Sequence, residues 1–212
     1  MCCADGEAAR ALAGKYIERG VKAKGYTCDF SQLDSLPAVP RQVAEDFGRV
    51  DCLVTCGAGI EEGHRAAPMH TISLQAFKSE TDAGIKGLFR ISKYSLREIL
   101  KTGGSIVHII SFCGITPVGG HAPLVAISGA TVGMTRMMAA EIEGGRARVN
   151  AVAAGLADGS DYNVSHQPVK RPVRPADIAA AVRFLASSEA SYITGVVLPV
   201  DGGLGAGYIR SF

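Results

Sequence analysis

The chain has 212 residues, enough for a single domain that buries roughly 70% of the surface its unfolded form would expose. A composition of 47% hydrophobic and 20% charged residues, with 26 glycines, is typical of a compact soluble α/β protein and excludes a disordered or fibrous chain. The 22 basic and 20 acidic residues nearly balance and are scattered, so nucleic acid is not expected as a partner. Apolar runs are far short of a membrane span and polar residues follow Met1 closely, so we expect a cytoplasmic protein without membrane contact.

The apolar pattern alternates between helix and strand periods along the whole chain. It begins with Ala9, Leu12, Ala13, Tyr16 and Ile17, whose spacing places them on one face of a helix. Further helices are predicted to end near 47 and to cover about 74–100, 124–143 and 177–186. Strands are predicted around 22–28, 52–55, 106–110, 148–152 and 196–200. Consecutive βα units predict a doubly wound parallel sheet with helices on both faces, in one domain over 1–212.

Six cysteines are present, but no pair of CxxC motifs that would indicate a metal site. Cys52, Cys56 and Cys113 lie in or beside apolar runs. We therefore expect reduced, mostly buried thiols and no metal.

Several short motifs follow one another in a specific order. Residues 148–155 read RVNAVAAG, 175–179 read PADIA, 193–195 read ITG and 200–203 read VDGG. Upstream, the strand 52–54 leads into TCGAG, and 104–111 read GSIVHIIS. In order and spacing, these segments resemble the short-chain dehydrogenase/reductase family over essentially the whole chain. The resemblance implies a Rossmann-like NAD(P)-binding sheet and alcohol/ketone redox chemistry, although fold does not guarantee function.

The family's catalytic set is a serine, a tyrosine 13 residues later, a lysine four after that, and an asparagine on the preceding long helix. The tyrosine gives or takes the proton of the substrate hydroxyl, and the lysine lowers the pKa of the tyrosine. Ser111 stands at the serine position, whereas Leu124, Ser128 and Gly84 occupy the other three. His121 stands where enoyl-reductase relatives carry their tyrosine, and it could move a proton.

The resemblance also assigns cofactor-binding positions. The family begins with a strand, a TGxxxGxG turn and a helix that bind the pyrophosphate, but this chain starts near the second strand. Asp5 falls where an acidic residue takes the adenosine ribose hydroxyls, which favours NAD(H) over NADP(H); the alternative is a helix cap. Asp29 would meet adenine or end a strand. The remaining implied contacts are Thr55, Cys56, Gly57, Gly155 and Leu156.

Three functions stay open at this point: an NAD-dependent oxidoreductase acting on a small molecule, a non-catalytic subunit or small-ligand binder of the same fold, and a lyase or isomerase built around Ser111 and His121. The family's pairing of two long helices predicts a homo-oligomer. Its contact candidates are Tyr94, Met134, Met137 and Met138.

The absent first strand would lie in the middle of the sheet and leave unpaired backbone groups on both sides, which is costly. We expect the strand at Met1–Ala4 to move over and pair directly with the strand at Cys52–Thr55.

Overall fold

The computed structural model describes residues 1–57, 66–157, 164 and 167–206. Helices and strands alternate as the apolar pattern predicts. The strands are β1 Cys2–Cys3, β2 Tyr26–Thr27, β3 Cys52–Cys56, β4 Ser105–Ser111, β5 Arg148–Ala154 and β6 Val197–Val200. The helices are α1 Gly6–Ile17, α2 Ala38–Phe47, α3 Leu74–Thr81, α4 Gly87–Thr102, α5 Ala122–Glu141 and α6 Pro175–Ala186.

The helix ends follow from local sequence. Gly48 and Gly103 adopt left-handed backbone angles, φ 84° and 72°, directly after α2 and α4, a conformation that glycine takes without steric penalty. The predicted helix over 74–100 is divided, because a π-helical segment at Asp82–Lys86 separates α3 from α4. The longest helix, α5, begins with Pro123 in its first turn, where the missing amide donor costs nothing.

Four strands form a parallel sheet in the order β3-β4-β5-β6. Helices α4 and α5 cover one face, where Ile99, Ile106 and Met138 share an apolar cluster. Helix α6 covers the other face, where Leu185 packs on Val107. The α/β doubly wound fold is therefore as predicted, with a core on both sides of the sheet.

The RVN motif connects β5 to the segment before β6. Asn150 is fully buried, donates from Nδ2 to the Ile193 carbonyl at 2.9 Å and accepts from the Val196 amide at 3.1 Å. Arg148 donates to the carbonyls of Leu185 and Ser187 at 2.8 and 3.0 Å. These residues satisfy backbone groups inside the protein, which explains the motif without a role in catalysis.

The sheet is interrupted in its middle, and the expected pairing of β1 with β3 is wrong. Within the part of the chain that the structure describes, strand β1 pairs with β2 alone, in a separate two-stranded parallel sheet. The Met1 and Cys3 carbonyls accept from Tyr26 and Cys28 at 2.8 and 2.7 Å. Tyr26 lies on β2 and belongs to an apolar cluster with α2 and α4. Because β1 is hydrogen-bonded to β2, moving the pair across would pull Tyr26 out of this cluster, so packing keeps β1 in place.

The structure also corrects two predictions, one about the burial of the cysteines and one about an oligomer contact. All six cysteines are free, but Cys2, Cys3 and Cys56 are exposed rather than buried. Met138, a candidate oligomer contact, is 7% exposed and belongs to the core, where methionine commonly fills gaps. Within the described ranges, no helix is both long enough and apolar enough to cross a membrane.

Candidate active site at the carboxyl edge of the sheet

The candidate site residues of the larger sheet lie where its parallel strands end. Gly57 follows β3, Ser111 ends β4, Gly155 follows β5 and Asp201 follows β6. In open α/β sheets the crevice outside the carboxyl ends of the strands is where ligands bind. The fold therefore brings these four positions to one edge.

Ser111 is half-buried, and its hydroxyl caps a short turn. Its Oγ accepts the Cys113 amide at 3.3 Å and so stabilises the 3₁₀ segment Phe112–Gly114. His121 is half-buried and immediately precedes α5. The two predicted catalytic residues thus lie on successive elements of the same edge, with Ser111 engaged in a structural hydrogen bond.

Leu124, at the position that the resemblance assigns to the catalytic tyrosine, packs into an apolar cluster. The cluster is centred on Phe112, Cys113 and Leu156, which are 4%, 2% and 6% exposed. Leu124 offers no proton to a substrate oxygen. Leu156, which was predicted to contact the cofactor, is buried in the same cluster.

Ser128, at the lysine position, is 1% exposed, and its Oγ has no hydrogen-bond partner among the described residues. Gly84, at the asparagine position, is buried in the π-helical segment. Both border a void of about 10 Å³, no larger than one water molecule. Gly114 packs directly against this position, since a Cβ on Gly114 would lie 2.8 Å from the Ser128 Cβ.

Thr55, predicted to contact the cofactor, is buried against a histidine. Its Oγ1 lies 2.9 Å from Nδ1 of His108, its register partner on β4. His108 is 1% exposed, and burial lowers its pKa to about 4, so the imidazole is neutral at physiological pH. Among the described residues Nε2 has no partner. Sequence reasoning did not identify this pair; the signal was a histidine inside an apolar strand.

The carboxylates of Asp5 and Asp29 both accept hydrogen bonds from nearby residues. Asp5 caps α1, with Oδ1 accepting the Glu7 and Ala8 amides at 2.8 and 3.2 Å. Asp29 accepts the amide and hydroxyl of Ser31, each at 2.8 Å. The helix cap, one of the two interpretations of Asp5, is therefore present, and Oδ1 makes both of its hydrogen bonds.

Cys56 and Gly57 are exposed after β3, and Gly57 has φ 120°, which favours glycine. Gly155 lies against the backbone of Asp201, because a Cβ at 155 would meet the Asp201 Cα at 2.6 Å. Only glycine fits between β5 and the turn after β6 without displacement. At this edge Cys56 and Gly57 are thus exposed, whereas Gly155 is closely packed against Asp201.

Asp201 and Gln167 organise this edge, although sequence reasoning did not propose them as site residues. The Asp201 carboxylate accepts the Gly203 and Gly205 amides at 3.0 and 2.8 Å. Gln167 is 2% exposed and donates from Nε2 to two carbonyls at 2.7 and 2.6 Å. Both residues line a cavity of about 470 Å³ that Arg171 and Asp177 also border. The VDGG motif was the available signal for Asp201.

Several positions that the resemblance assigns to the dinucleotide already make contacts within the chain or carry another residue type. Asp5 and Asp29 already accept hydrogen bonds, Thr55 is bonded to His108, and Leu124 and Ser128 replace the pair that would face the nicotinamide ribose. The residues that follow Gly57, 58–65, lie outside the described part of the chain.

Comparison with known proteins identifies the family. Residues 2–205 match the family model described as Enoyl-(Acyl carrier protein) reductase. The chain belongs to the short-chain dehydrogenase/reductase superfamily. Cis-4-hydroxycyclohexanecarboxylate dehydrogenase of Sinomonas cyclohexanicum is 33% identical over 208 residues, covering 93% of this chain and 82% of that protein. A 3-oxoacyl-(acyl-carrier-protein) reductase of Thermotoga maritima is 31% identical over 194 residues, covering 86% and 77%.

Solved structures of the superfamily share the fold. Sorbitol-6-phosphate 2-dehydrogenase of Erwinia amylovora superposes with a TM-score of 0.88 at 26% identity, covering 96% of this chain and 88% of that one. A gluconate 5-dehydrogenase of Burkholderia cenocepacia, in complex with NADP and tartrate, gives a TM-score of 0.88 at 22% identity, covering 98% and 85%. The recognition of this short-chain dehydrogenase/reductase from its motifs is thereby confirmed.

Proposed function

We propose that this chain is a non-catalytic member of the short-chain dehydrogenase/reductase superfamily with respect to alcohol/ketone hydride transfer, serving as a partner subunit or small-ligand binder. The observation that carries the proposal is the apolar packing of Leu124 against Phe112, Cys113 and Leu156. A hydride acceptor carbonyl needs a proton at its oxygen as the hydride arrives. No group at position 124 supplies one.

The surroundings of Leu124 support the same proposal. Ser128 cannot carry the positive charge that lowers a phenol pKa, and it is too deeply buried to reach a ligand. The Ser111 hydroxyl accepts a hydrogen bond from the Cys113 amide and so has a structural role in the turn after β4. Among the described residues that the resemblance assigns to catalysis, His121 is the remaining candidate acid, and rebuilding a proton relay around it would require a partner group that orients a substrate oxygen.

The test is turnover with NADH and NADPH across a panel of ketones, aldehydes and acyl thioesters. We expect rates at background, because loss of positioned proton transfer lowers rates by about 100- to 10,000-fold. Turnover near 1 per second that disappears in His121→Gln would overturn the proposal and make the chain an oxidoreductase. Leu124→Tyr and Leu124→Tyr with Ser128→Lys serve as gain-of-function controls, and circular dichroism checks that both variants fold.

NAD(H) is the cofactor we propose to test first, because an acidic residue near the adenosine ribose disfavours the extra phosphate of NADP(H). Isothermal titration with NADH should give little or no heat, since Leu124 and Ser128 replace the pair that would face the nicotinamide ribose. Saturable micromolar binding would instead support the cofactor-dependent alternative.

We further propose a cytoplasmic homo-oligomer joined through α4 and α5. Phe89 on α4 and Met137 on α5 are 48% and 41% exposed, large apolar side chains of the kind that interfaces bury. Light scattering at tens of micromolar should give a mass above that of one chain. A clean monomer would reject this interface.

A further inference from the structure

The exposed side of helix α4 carries a stripe of basic residues. Lys93, Arg97 and Lys101 recur at every fourth position and are all exposed, so their side chains lie on one face of the helix. The remaining exposed residue of α4 is Phe89. Every exposed position of this helix is therefore either cationic or aromatic, and none is acidic.

A groove with a volume of about 870 Å³ lies between this stripe and α2. Lys101 lines it from α4, Arg41 lines it from α2, and Arg49 lines it from the segment after α2. Because α2 ends just before β3 and α4 ends just before β4, the groove is at the amino edge of the sheet. The candidate active site is at the opposite edge. We call Arg41, Arg49, Lys93, Arg97 and Lys101 the α2–α4 face.

The α2–α4 face has more positive than negative charge. Three of its five cations have carboxylate partners in the chain. The ion pairs are Arg49–Asp51 at 2.6 Å, Lys101–Glu98 at 2.6 Å and Arg41–Glu45 at 3.9 Å. The five cations and three carboxylates leave an excess of two positive charges, which equals the formal net charge of +2 of the whole chain. The net charge of the protein is therefore concentrated on this face.

Lys93 and Arg97 carry this excess. Neither of them forms an ion pair with another described residue. Instead, the Arg97 guanidinium lies 5.1 Å from the centre of the Tyr94 ring, and the Lys93 ammonium lies 5.8 Å from it. Cation–π contacts of this kind restrain the side chains. Restrained cations lose less conformational entropy when carboxylates bind, so the face is partly preorganised for an anionic partner.

The carboxylates on the same face decide which anionic partner fits. A nucleic acid presents a continuous row of phosphates, which would meet Glu45 and Glu98 as well as the cations. A second copy of this chain would bring Lys93 and Arg97 against like charges in a two-fold contact. A helix of another protein can place carboxylates opposite the cations alone, and a groove between two helices accommodates it. An acidic helix is therefore the occupant that the face favours.

We propose that the α2–α4 face docks an acidic helix of a partner protein, whose carboxylates lie four residues apart and contact Lys93 and Arg97. The spacing matches because residues four apart on either helix have Cβ atoms about 5 to 6 Å apart. The homo-oligomer proposed above uses Phe89 and Met137. Phe89 lies seven residues before Leu96, which packs in the apolar cluster between α4 and α5, so it is on the α5 side of α4. The two contacts therefore use different sides of α4.

The first test measures binding of the full chain to two stapled helical peptides by fluorescence anisotropy. Both peptides have about 18 residues, or five turns, and the same content of glutamate, alanine, leucine and glutamine. In one the glutamates recur every four positions, and in the control they are spread around the helix. We expect the first to bind about fivefold more tightly and to weaken about tenfold between about 50 and 300 mM salt. Equal affinity for both peptides, or no saturable binding, would overturn the proposal.

The second test reverses the charge of the face. Lys93→Glu with Arg97→Glu should weaken binding of the first peptide by about tenfold or more, because attraction at two positions becomes repulsion. The matched control, Lys15→Glu with Lys78→Glu, makes the same charge change at exposed positions of α1 and α3 and should alter the affinity by less than about twofold. An equal loss in both proteins would show a nonspecific effect of net charge and refute the docking site.

Urea denaturation checks that the charge-reversal variant folds. If it does not, Lys93→Gln with Arg97→Gln removes the two charges without adding repulsion, and unchanged peptide affinity in that variant would equally refute the site.

Two further measurements distinguish the occupants. An oligothymidine of about 20 nucleotides that binds more tightly than the peptide, and loses affinity in the Lys93→Glu, Arg97→Glu variant, would assign the face to nucleic acid and overturn the proposal. A lower mass of that variant in light scattering, compared with the unchanged chain, would assign the face to a contact between copies and also overturn it. We expect neither result. Turnover enters none of these readouts, so failure of this proposal is distinguishable from failure of the proposed function.

Discussion

Lowering the pH should destabilise this protein through His108. In the folded protein its pKa is about 4, because burial disfavours the charged imidazole, whereas an unfolded histidine titrates near 6.5. The unfolded chain therefore takes up a proton below pH 6.5 that the folded chain refuses until pH 4. Stability from this residue is complete above pH 6.5 and is lost as the pH falls towards 4.

The size of the effect follows from the two pKa values. Each pKa unit corresponds to about 1.4 kcal/mol, so the full loss approaches about 3 kcal/mol near pH 4. Between pH 7.5 and 5 it should reach about 2 kcal/mol, before most carboxylates begin to titrate. This is a large share of the 5 to 15 kcal/mol that stabilises a typical domain.

The assay is urea denaturation followed by circular dichroism at pH 7.5, 6.5, 5.5 and 5. The comparison variant is His108→Leu with Thr55→Val, which removes both partners of the 2.9 Å contact and leaves no orphaned hydroxyl. His70→Gln is the matched control, because His70 is exposed. We expect the pH dependence of the unfolding free energy to shrink by about 2 kcal/mol in the double variant and to persist in the control. Equal pH dependence in all three proteins would refute a buried neutral His108.

Four further substitutions separate structural from functional roles. Asp5→Ala should lower the unfolding free energy by about 1 kcal/mol through loss of the cap and leave NADH titration unchanged; a selective loss of binding would contradict the cap assignment. Gly155→Ala should destabilise by about 1 to 3 kcal/mol in urea because its Cβ would meet the Asp201 backbone, whereas Gly129→Ala, with open space around it, should stabilise by about 0.5 to 1 kcal/mol. Ser128→Ala should leave stability unchanged or raise it by about 1 kcal/mol, because the buried Oγ has no partner among the described residues; a marked loss in denaturation midpoint would indicate a hidden role for this hydroxyl.

Periodicity and motifs sufficed for the fold class, because helix and strand spacing and parallel βα connections are local properties of the chain. The strand at Cys52–Cys56 and the helix that begins near Pro175 lie within a few residues of their predicted positions. The family was recognisable because RVNAVAAG and VDGG are short motifs whose order and spacing are read directly from the sequence. The sequence also showed that Leu124 and Ser128 replace the family's tyrosine and lysine, because these positions lie at a fixed spacing from Ser111.

The placement of β1 was decided only by tertiary structure. Unpaired backbone groups on β1 and β3 would favour pairing these two strands. Packing prevails instead, because the apolar cluster of Tyr26 with α2 and α4 holds β1 and β2 away from β3. The cap that Asp5 provides likewise depends on where α1 begins. A histidine inside an apolar strand was a local signal of burial, but the neutral state of His108 depends on packing by residues distant in sequence.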